Sequence, residues 1–119
     1  MESTPAHGDC KYRYQAELIR VIDGDTIVAR VDLGFHVFTE QILRLHGINA
    51  VELRGEHRQL GLEAAEHLRS LINIHSPLTI KTIKDRTGKY GRYLVVLYGE
   101  DDLDLNLQMV HDGHAVVTD

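Results

Sequence analysis

The stretch from Arg44 to Glu52, R-L-H-G-I-N-A-V-E, begins on an arginine and ends on a carboxylate. Upstream, Asp23-Gly24-Asp25-Thr26 sets two carboxylates on either side of a glycine; downstream, Lys89-Tyr90-Gly91-Arg92 adds a lysine and a second arginine. Hard divalent cations take several oxygen ligands, and turns supply these readily. Guanidinium forks match phosphate oxygens and stabilise the charge that builds on them during displacement. A lone glutamate can accept the proton of an attacking water. An acid cluster, two arginines and a free glutamate together make the set that phosphodiester hydrolysis requires. Each member also has a plain reading. D-G is a turn signal whose acids can simply be solvated, and a strand arginine can lie along an edge with its head in water. Glu52 can be a solvated acid ahead of a helix, and Tyr90 can stack on a base or pack under its own loop. Only their joint spacing points to chemistry.

The elements that must position these residues follow from hydrophobic period. Lys11 to Ile22 alternates, with Tyr12, Tyr14, Ala16, Leu18 and Arg20 on one side, which predicts a strand. Asp23-Gly24 then predicts a turn, glycine being the residue that tolerates positive φ. Thr26 to Leu33 is a second strand with Ile27, Ala29, Val31 and Leu33 on one face; Val37 to Leu45 is a third. In the third, Arg44 points away from Leu43 and Leu45, so a core on the leucine side leaves Arg44 on a surface or cleft. From Glu56 to Ile74 the spacing of Gly61, Ala64, Ala65, Leu68, Leu71 and Ile72 widens to three and four, an amphipathic helix. Leu78 to Ile83 and Tyr93 to Tyr98 are further strands, joined by a polar, exposed connection from Lys84 to Arg92. Asp104 caps a short helix through His111, with Leu103, Leu107 and Val110 as its apolar stripe, Gly113 as its stop and a short extended tail from His114 to Val117. The fold is mainly β with α. The order fits a small five-stranded Greek-key barrel of the OB type with one long and one short helix; a sheet-and-helix sandwich has the same periodicity.

Bulk properties bound the rest. A chain of 119 residues predicts one domain, here 11–119, behind a small polar lead-in at 1–10 that reads as disordered. A hydrophobic fraction of 43% and a charged fraction of 26% place it among soluble globular proteins. The one cysteine, Cys10, allows no internal disulfide and no thiolate zinc site, which is compatible with a reducing compartment. No signal peptide is visible, so a native N-terminus implies the cytoplasm; no apolar run approaches the ~20 residues of a membrane span. A monomer is expected. The formal net charge of −5 argues against tight, non-specific hold on duplex nucleic acid but leaves room for a small cationic site and transient substrate binding. Neither His7 with Cys10 nor His111 with His114 has partners at zinc-like spacing. His46 and His57 flank the central loop, as bystanders or as a source of pH-dependent charge.

Taken together, I-D-G-D-T-I at Ile22 to Ile27, R-L-H-G-I-N-A-V-E at Arg44 to Glu52 and D-R-T-G-K-Y-G-R at Asp85 to Arg92 resemble the three signatures of the staphylococcal nuclease (thermonuclease-like) family. L-N-L-Q-M-V-H-D-G-H-A at Leu105 to Ala115 resembles that family's short helix and following turn. The resemblance implies an OB-type barrel and a calcium-dependent phosphodiesterase acting on single- or double-stranded DNA and RNA, leaving a 3′-phosphate and a 5′-hydroxyl. It implies Asp25 as a direct Ca2+ ligand, Asn49 where the family usually has a second aspartate, the Ala50 backbone carbonyl as a further ligand, and Asp23 in the outer shell through water. It implies Glu52 as general base, Arg44 and Arg92 on the scissile phosphate, and Lys89 and Tyr90 against the substrate. Asn49 keeps an oxygen ligand but loses a charge, which predicts weaker metal binding. Val51 replaces a common proline, which predicts a less rigid loop before Glu52. The family's C-terminal helix has no counterpart before Asp119, which predicts lower affinity and stability. A binding module without turnover is the rival expectation.

Overall fold

In the computed structural model, which describes residues 12–50, 58–87, 92–100 and 102–118, alternating stretches form strands and three-four spacing forms helices. The order is β1 (Arg13–Asp23), β2 (Thr26–Asp32), β3 (Phe38–Leu45), β4 (Ile48–Ala50), α1 (Arg58–Ile74), β5 (Leu78–Thr87), β6 (Tyr93–Tyr98), α2 (Leu105–His111) and β7 (Ala115–Val117). β1, β2, β3, β6 and β5 close into a barrel in that sequence, while β4 and β7 make a two-stranded sheet of their own. Every barrel pairing is antiparallel except β3 with β6. A parallel neighbour demands a long crossover, and α1 with β5 provides it. The result is the five-stranded OB-type barrel, not the sandwich. The Lys84 to Arg92 connection is partly strand, since β5 continues to Thr87. The lead-in at 1–10 lies outside the described residues. Among the described residues no helix is long and apolar enough to cross a membrane.

Ile27, Ala29 and Val31 from β2 meet Leu43 and Leu45 from β3, Leu78 and Ile80 from β5, and Val95 and Leu97 from β6, all buried. α1 adds Ala64, Leu68, Leu71 and Ile72, and α2 adds Leu105 and Met109. Each fully buried aliphatic contributes roughly 1.5–3 kcal/mol. Leu33, expected on the inner face of β2, falls past the strand end and is exposed.

Two local expectations are corrected. β1 does not hold one alternating face. Tyr14, Ala16 and Leu18 pack on the core, the register then slips between Leu18 and Arg20, and Ile19 and Arg20 are both exposed before Val21 turns in. A bulge inserts one residue and so exchanges the two faces. In α2 the buried residues are Leu105, Asn106 and Met109, while Leu107 is 58% exposed. The cap sets this phase: the Asp104 side chain accepts from the Leu107 N–H at 3.0 Å, which fixes where the first turn starts. The far end closes as expected, with Gly113 at φ +85°. Its N–H donates to Val110 O and the His114 N–H to Met109 O, both at 3.0 Å, the paired bonds of a Schellman stop.

Candidate functional site

The β3–β4 turn is built around Arg44. The alternation of β3 buries Leu43 and Leu45 and leaves Arg44 on the outer face, half-buried, as the leucine pattern predicts. One terminal nitrogen of its guanidinium donates to Leu45 O at 2.6 Å and Ile48 O at 2.9 Å. The other donates to Asn49 Oδ1 and lies 3.4 Å from Asp25 Oδ2. The four terminal N–H groups thus face two main-chain carbonyls, an amide oxygen and a carboxylate.

Asp25 reaches this place because β1 and β2 turn sharply through Gly24. Its carboxylate accepts from the Ala50 N–H at 2.8 Å and from the Thr26 hydroxyl at 3.0 Å, and its backbone oxygen accepts from the Leu45 N–H at 2.8 Å. Gly24 serves this turn by its lack of a side chain, not by positive φ. A Cβ there would stand 2.7 Å from the Ala50 Cβ and 2.9 Å from the Ala64 Cβ. Strand turn, site loop and helix α1 therefore meet at three small residues.

Asp23 stands one step back. Its carboxylate accepts from the Asp25 N–H at 3.1 Å. Burial first, and then the neighbouring Asp25 side chain, raise the Asp23 carboxyl from its ordinary 3.8 to about 6. Two carboxylates this close repel when both are charged, which a cation relieves.

The oxygens of Asp23, Asp25, Asn49 and the Ala50 carbonyl are hard donors of the kind calcium prefers. Among the described residues no three His, Cys, Asp or Glu side chains are grouped to hold a metal by themselves. A cation here would depend on the Asn49 amide and main-chain oxygen besides the carboxylates. The donor chemistry fits, and Arg44 already brings positive charge to two of these groups.

Arg92 is half-buried and immediately precedes β6, whose Tyr93 lies opposite Leu43 of β3. Arg44 thus lies on β3 and Arg92 at the entry to the neighbouring β6. Glu52, Lys89 and Tyr90, and with them Val51 and His57, lie outside the described residues.

Two supports were missed by pattern reading. β4 pairs with β7 through Ile48–Val117, Asn49–Val116 and Ala50–Ala115, so the tail expected only to be extended in fact braces Asn49 and Ala50. Asn106, buried in α2, accepts from the Leu97 N–H at 3.1 Å and donates to Val95 O at 3.1 Å and His46 O at 3.0 Å. It thus fixes the turn that carries Arg44. The local trace of it in the sequence is an asparagine flanked by Leu105 and Leu107.

The family model of staphylococcal nuclease homologues matches residues 42–119. The chain belongs to this family. The match takes in Arg44, Asn49, Ala50 and Arg92. Asp23 and Asp25 lie upstream of it; Asp25 joins the site through its contacts with Arg44 and Ala50, and Asp23 through the Asp25 N–H. Endonuclease YhcR of Bacillus subtilis (strain 168) is 27% identical over 123 residues, covering 97% of this chain and 10% of that protein. This staphylococcal nuclease homologue spans about a tenth of the length of that relative.

Proposed function

We propose that the chain is a calcium-dependent nuclease that hydrolyses phosphodiester bonds of DNA or RNA. The convergence of Asp25, Asn49 and Arg44 on one spot carries this reading: acidic and amide oxygens for a cation stand directly beside a guanidinium for a phosphate. Family membership and the likeness to a protein named as an endonuclease support it.

Asp25, Asn49 and the Ala50 carbonyl would hold the ion, with Asp23 behind them. When bound, the ion supplies charge neutralisation and polarisation of the phosphate. Arg44 and Arg92 bind the phosphate oxygens and stabilise the charge gathering on them. To do so Arg44 exchanges an existing acceptor for a phosphate oxygen, and the 3.4 Å contact with Asp25 is the longest of those it makes among the described residues. Glu52, two residues after Ala50, takes the proton of the attacking water, while Lys89 and Tyr90 contact the flanking substrate.

The test is cleavage of single-stranded DNA by the pure, folded protein with and without calcium, alongside Glu52→Gln. Calcium-dependent cleavage that Glu52→Gln removes is the expected result; absence of cleavage across millimolar calcium at alkaline pH rejects it. One observation favours a second reading, a catalytically weakened module that binds nucleic acid or protein. Asn49 supplies a neutral oxygen where the family usually has a carboxylate, and that oxygen is taken by Arg44. Salt-sensitive binding without turnover distinguishes this alternative.

A further inference from the structure

The face of β2 and β3 that carries Arg44 runs on to a second feature, with Thr26 and Val28 buried along its middle. Paired residues on adjacent antiparallel strands share a face, so the register defines rows across the sheet. Thr26 and Arg44 form the first; Arg20, Val28 and Ile42 the next; Glu17, Arg30 and Glu40 a third; Asp32 and Phe38 a fourth. At the end of this series is an open depression of about 220 Å³ lined by Gln15, Ala16, Glu17, Arg30, Asp32 and Phe38. It is smaller than the ~300–1,000 Å³ of pockets for drug-sized ligands and larger than the ~30 Å³ share of a water. That size suits one flat ring.

Its chemistry is specific. The Arg30 guanidinium lies over the Phe38 ring, 3.9 Å from its centroid, and is 3.6 Å from the Glu17 carboxylate. Ring and carboxylate thus hold a planar cation in place on an exposed surface, and guanidinium planes and aromatic rings are the two platforms on which unpaired bases stack. The Gln15 amide offers both donor and acceptor, and Asp32 offers an acceptor, already oriented by the Gly34 N–H at 2.8 Å. Two carboxylates against one arginine make the depression repel phosphate, so a base fits there and a backbone does not. Between it and Arg44, Arg20 is exposed to meet a phosphate and Ile42 is exposed to meet a sugar or base.

We propose that this depression receives an unpaired base of the substrate strand, several nucleotides from the cleaved phosphate, with Arg30 on Phe38 as its stacking platform. The inference rests on the nuclease reading and extends it, naming single-stranded nucleic acid as the form held. Thr26 to Asp32 spans about 20 Å at ~3.4 Å per residue. Stacked nucleotides also rise ~3.4 Å each, so about six separate the two sites, and fewer where the strand is stretched. That lies within the ~4–16 nucleotides that an OB barrel covers, and the face of strands two and three is where such barrels hold oligonucleotides.

The experiment compares kcat/KM on a single strand of about 12 nucleotides and on a dinucleotide. The proteins are the wild type, Phe38→Ala, Arg30→Ala, Gln15→Ala and Phe38→Trp, each checked for folding by thermal melting. Loss of stacking is expected to lower the ratio of long-strand to dinucleotide kcat/KM about 5- to 150-fold in Phe38→Ala and Arg30→Ala, through KM. Phe38→Trp is expected to keep it. Gln15→Ala, which leaves the platform intact, reports on the depression if the other two fail to fold, and a lower ratio is expected there as well. If the wild type binds the long strand without cutting it, the same comparison is read as affinity by fluorescence anisotropy. A ratio or affinity unchanged in every folded variant overturns the depression as a base site and leaves the nuclease reading standing. A wild type that neither cuts nor binds either substrate overturns both.

Discussion

The Arg44 guanidinium lies 3.4 Å from the Asp25 carboxylate while the same nitrogen donates to the Asn49 amide. One cation therefore spans the β1–β2 turn and the β3–β4 turn, and the site exists only when both are formed. Arg44→Lys keeps the charge but not the fork, and an ammonium cannot reach two carbonyls, an amide and a carboxylate together. The expected outcome is a fall in kcat of about 10²–10³-fold, the usual cost of losing a preorganised donor to transition-state charge. A smaller fall in melting temperature should accompany it. Steady-state kinetics and a thermal melt on the same preparation check both.

Asn49→Asp adds a carboxylate beside Arg44. Affinity at oxygen sites follows ligand charge, so calcium is expected to bind about tenfold more tightly, as read by calorimetry. Higher activity at low calcium should follow. Unaltered calcium binding in the folded variant removes Asn49 from the set of ligands.

The barrel was legible because its signals are local. Period two in Thr26 to Asp32 and Tyr93 to Tyr98, the widened spacing of α1 and the Asp104 cap each depend on neighbours in the chain. The closeness of Asp25, Asn49 and Arg44 was not local; it came from motif order and resemblance, with the position of Arg44 opposite Leu43 and Leu45 as the one geometric hint. Three things escaped for physical reasons. The slip after Leu18 is a matter of register with β2, which no single strand encodes. β4 is too short to show a period and exists because β7 pairs with it. Of the expected stripe, Leu103 and Val110 pack on the core and Leu107 alone faces out; Asn106 stood outside that stripe, so its contacts with Val95, Leu97 and His46 came only with the packing.

Asp23 gives the protein an unusual pH profile. Its folded pKa of about 6 lies above the ordinary 3.8, mainly through burial, so the fold favours the protonated form. That contribution is complete below about pH 3.8 and is lost as pH rises through about 6. Asp112 runs the other way. The His67 ring nitrogen, 2.6 Å from its carboxylate, holds it below the ordinary value, so its contribution is present above about pH 3.8 and lost as pH falls through its folded value. Urea unfolding from about pH 4 to pH 7 should show the wild type losing stability relative to Asp23→Asn, on the order of 1 kcal/mol given partial solvent access. Parallel curves for the two proteins contradict this.

Gly24→Ala tests the three-way junction. Contacts of 2.7 and 2.9 Å to two alanine Cβ atoms leave no flexible side chain to move aside, so backbone must shift. Overpacking of this kind costs roughly 1–3 kcal/mol. Because Ala50 is one of the two neighbours, activity should fall by more than the loss of folded protein explains. Gly24→Ala combined with Ala64→Gly relieves the helix side alone, and should recover stability ahead of activity.

Asn106→Ala separates the support of the site from its chemistry. The change strips a buried acceptor from the Leu97 N–H and a donor from the carbonyls of Val95 and His46. The Val95 carbonyl keeps the His46 N–H at 2.8 Å, so the cost falls on the Leu97 N–H and the His46 carbonyl; at ~1–3 kcal/mol for each unsatisfied buried polar group, a loss of roughly 2–5 kcal/mol in chemical denaturation is expected. His46 follows Arg44 and Leu45 in the turn, and its released carbonyl loosens the segment whose Leu45 and Ile48 oxygens hold the guanidinium. Below the melting transition, folded Asn106→Ala should therefore show a lower kcat with calcium affinity less affected, since the Asp25 contacts to Ala50 and Thr26 do not pass through Asn106. A variant that is merely less stable, with full kcat in its folded fraction, assigns Asn106 to the barrel alone.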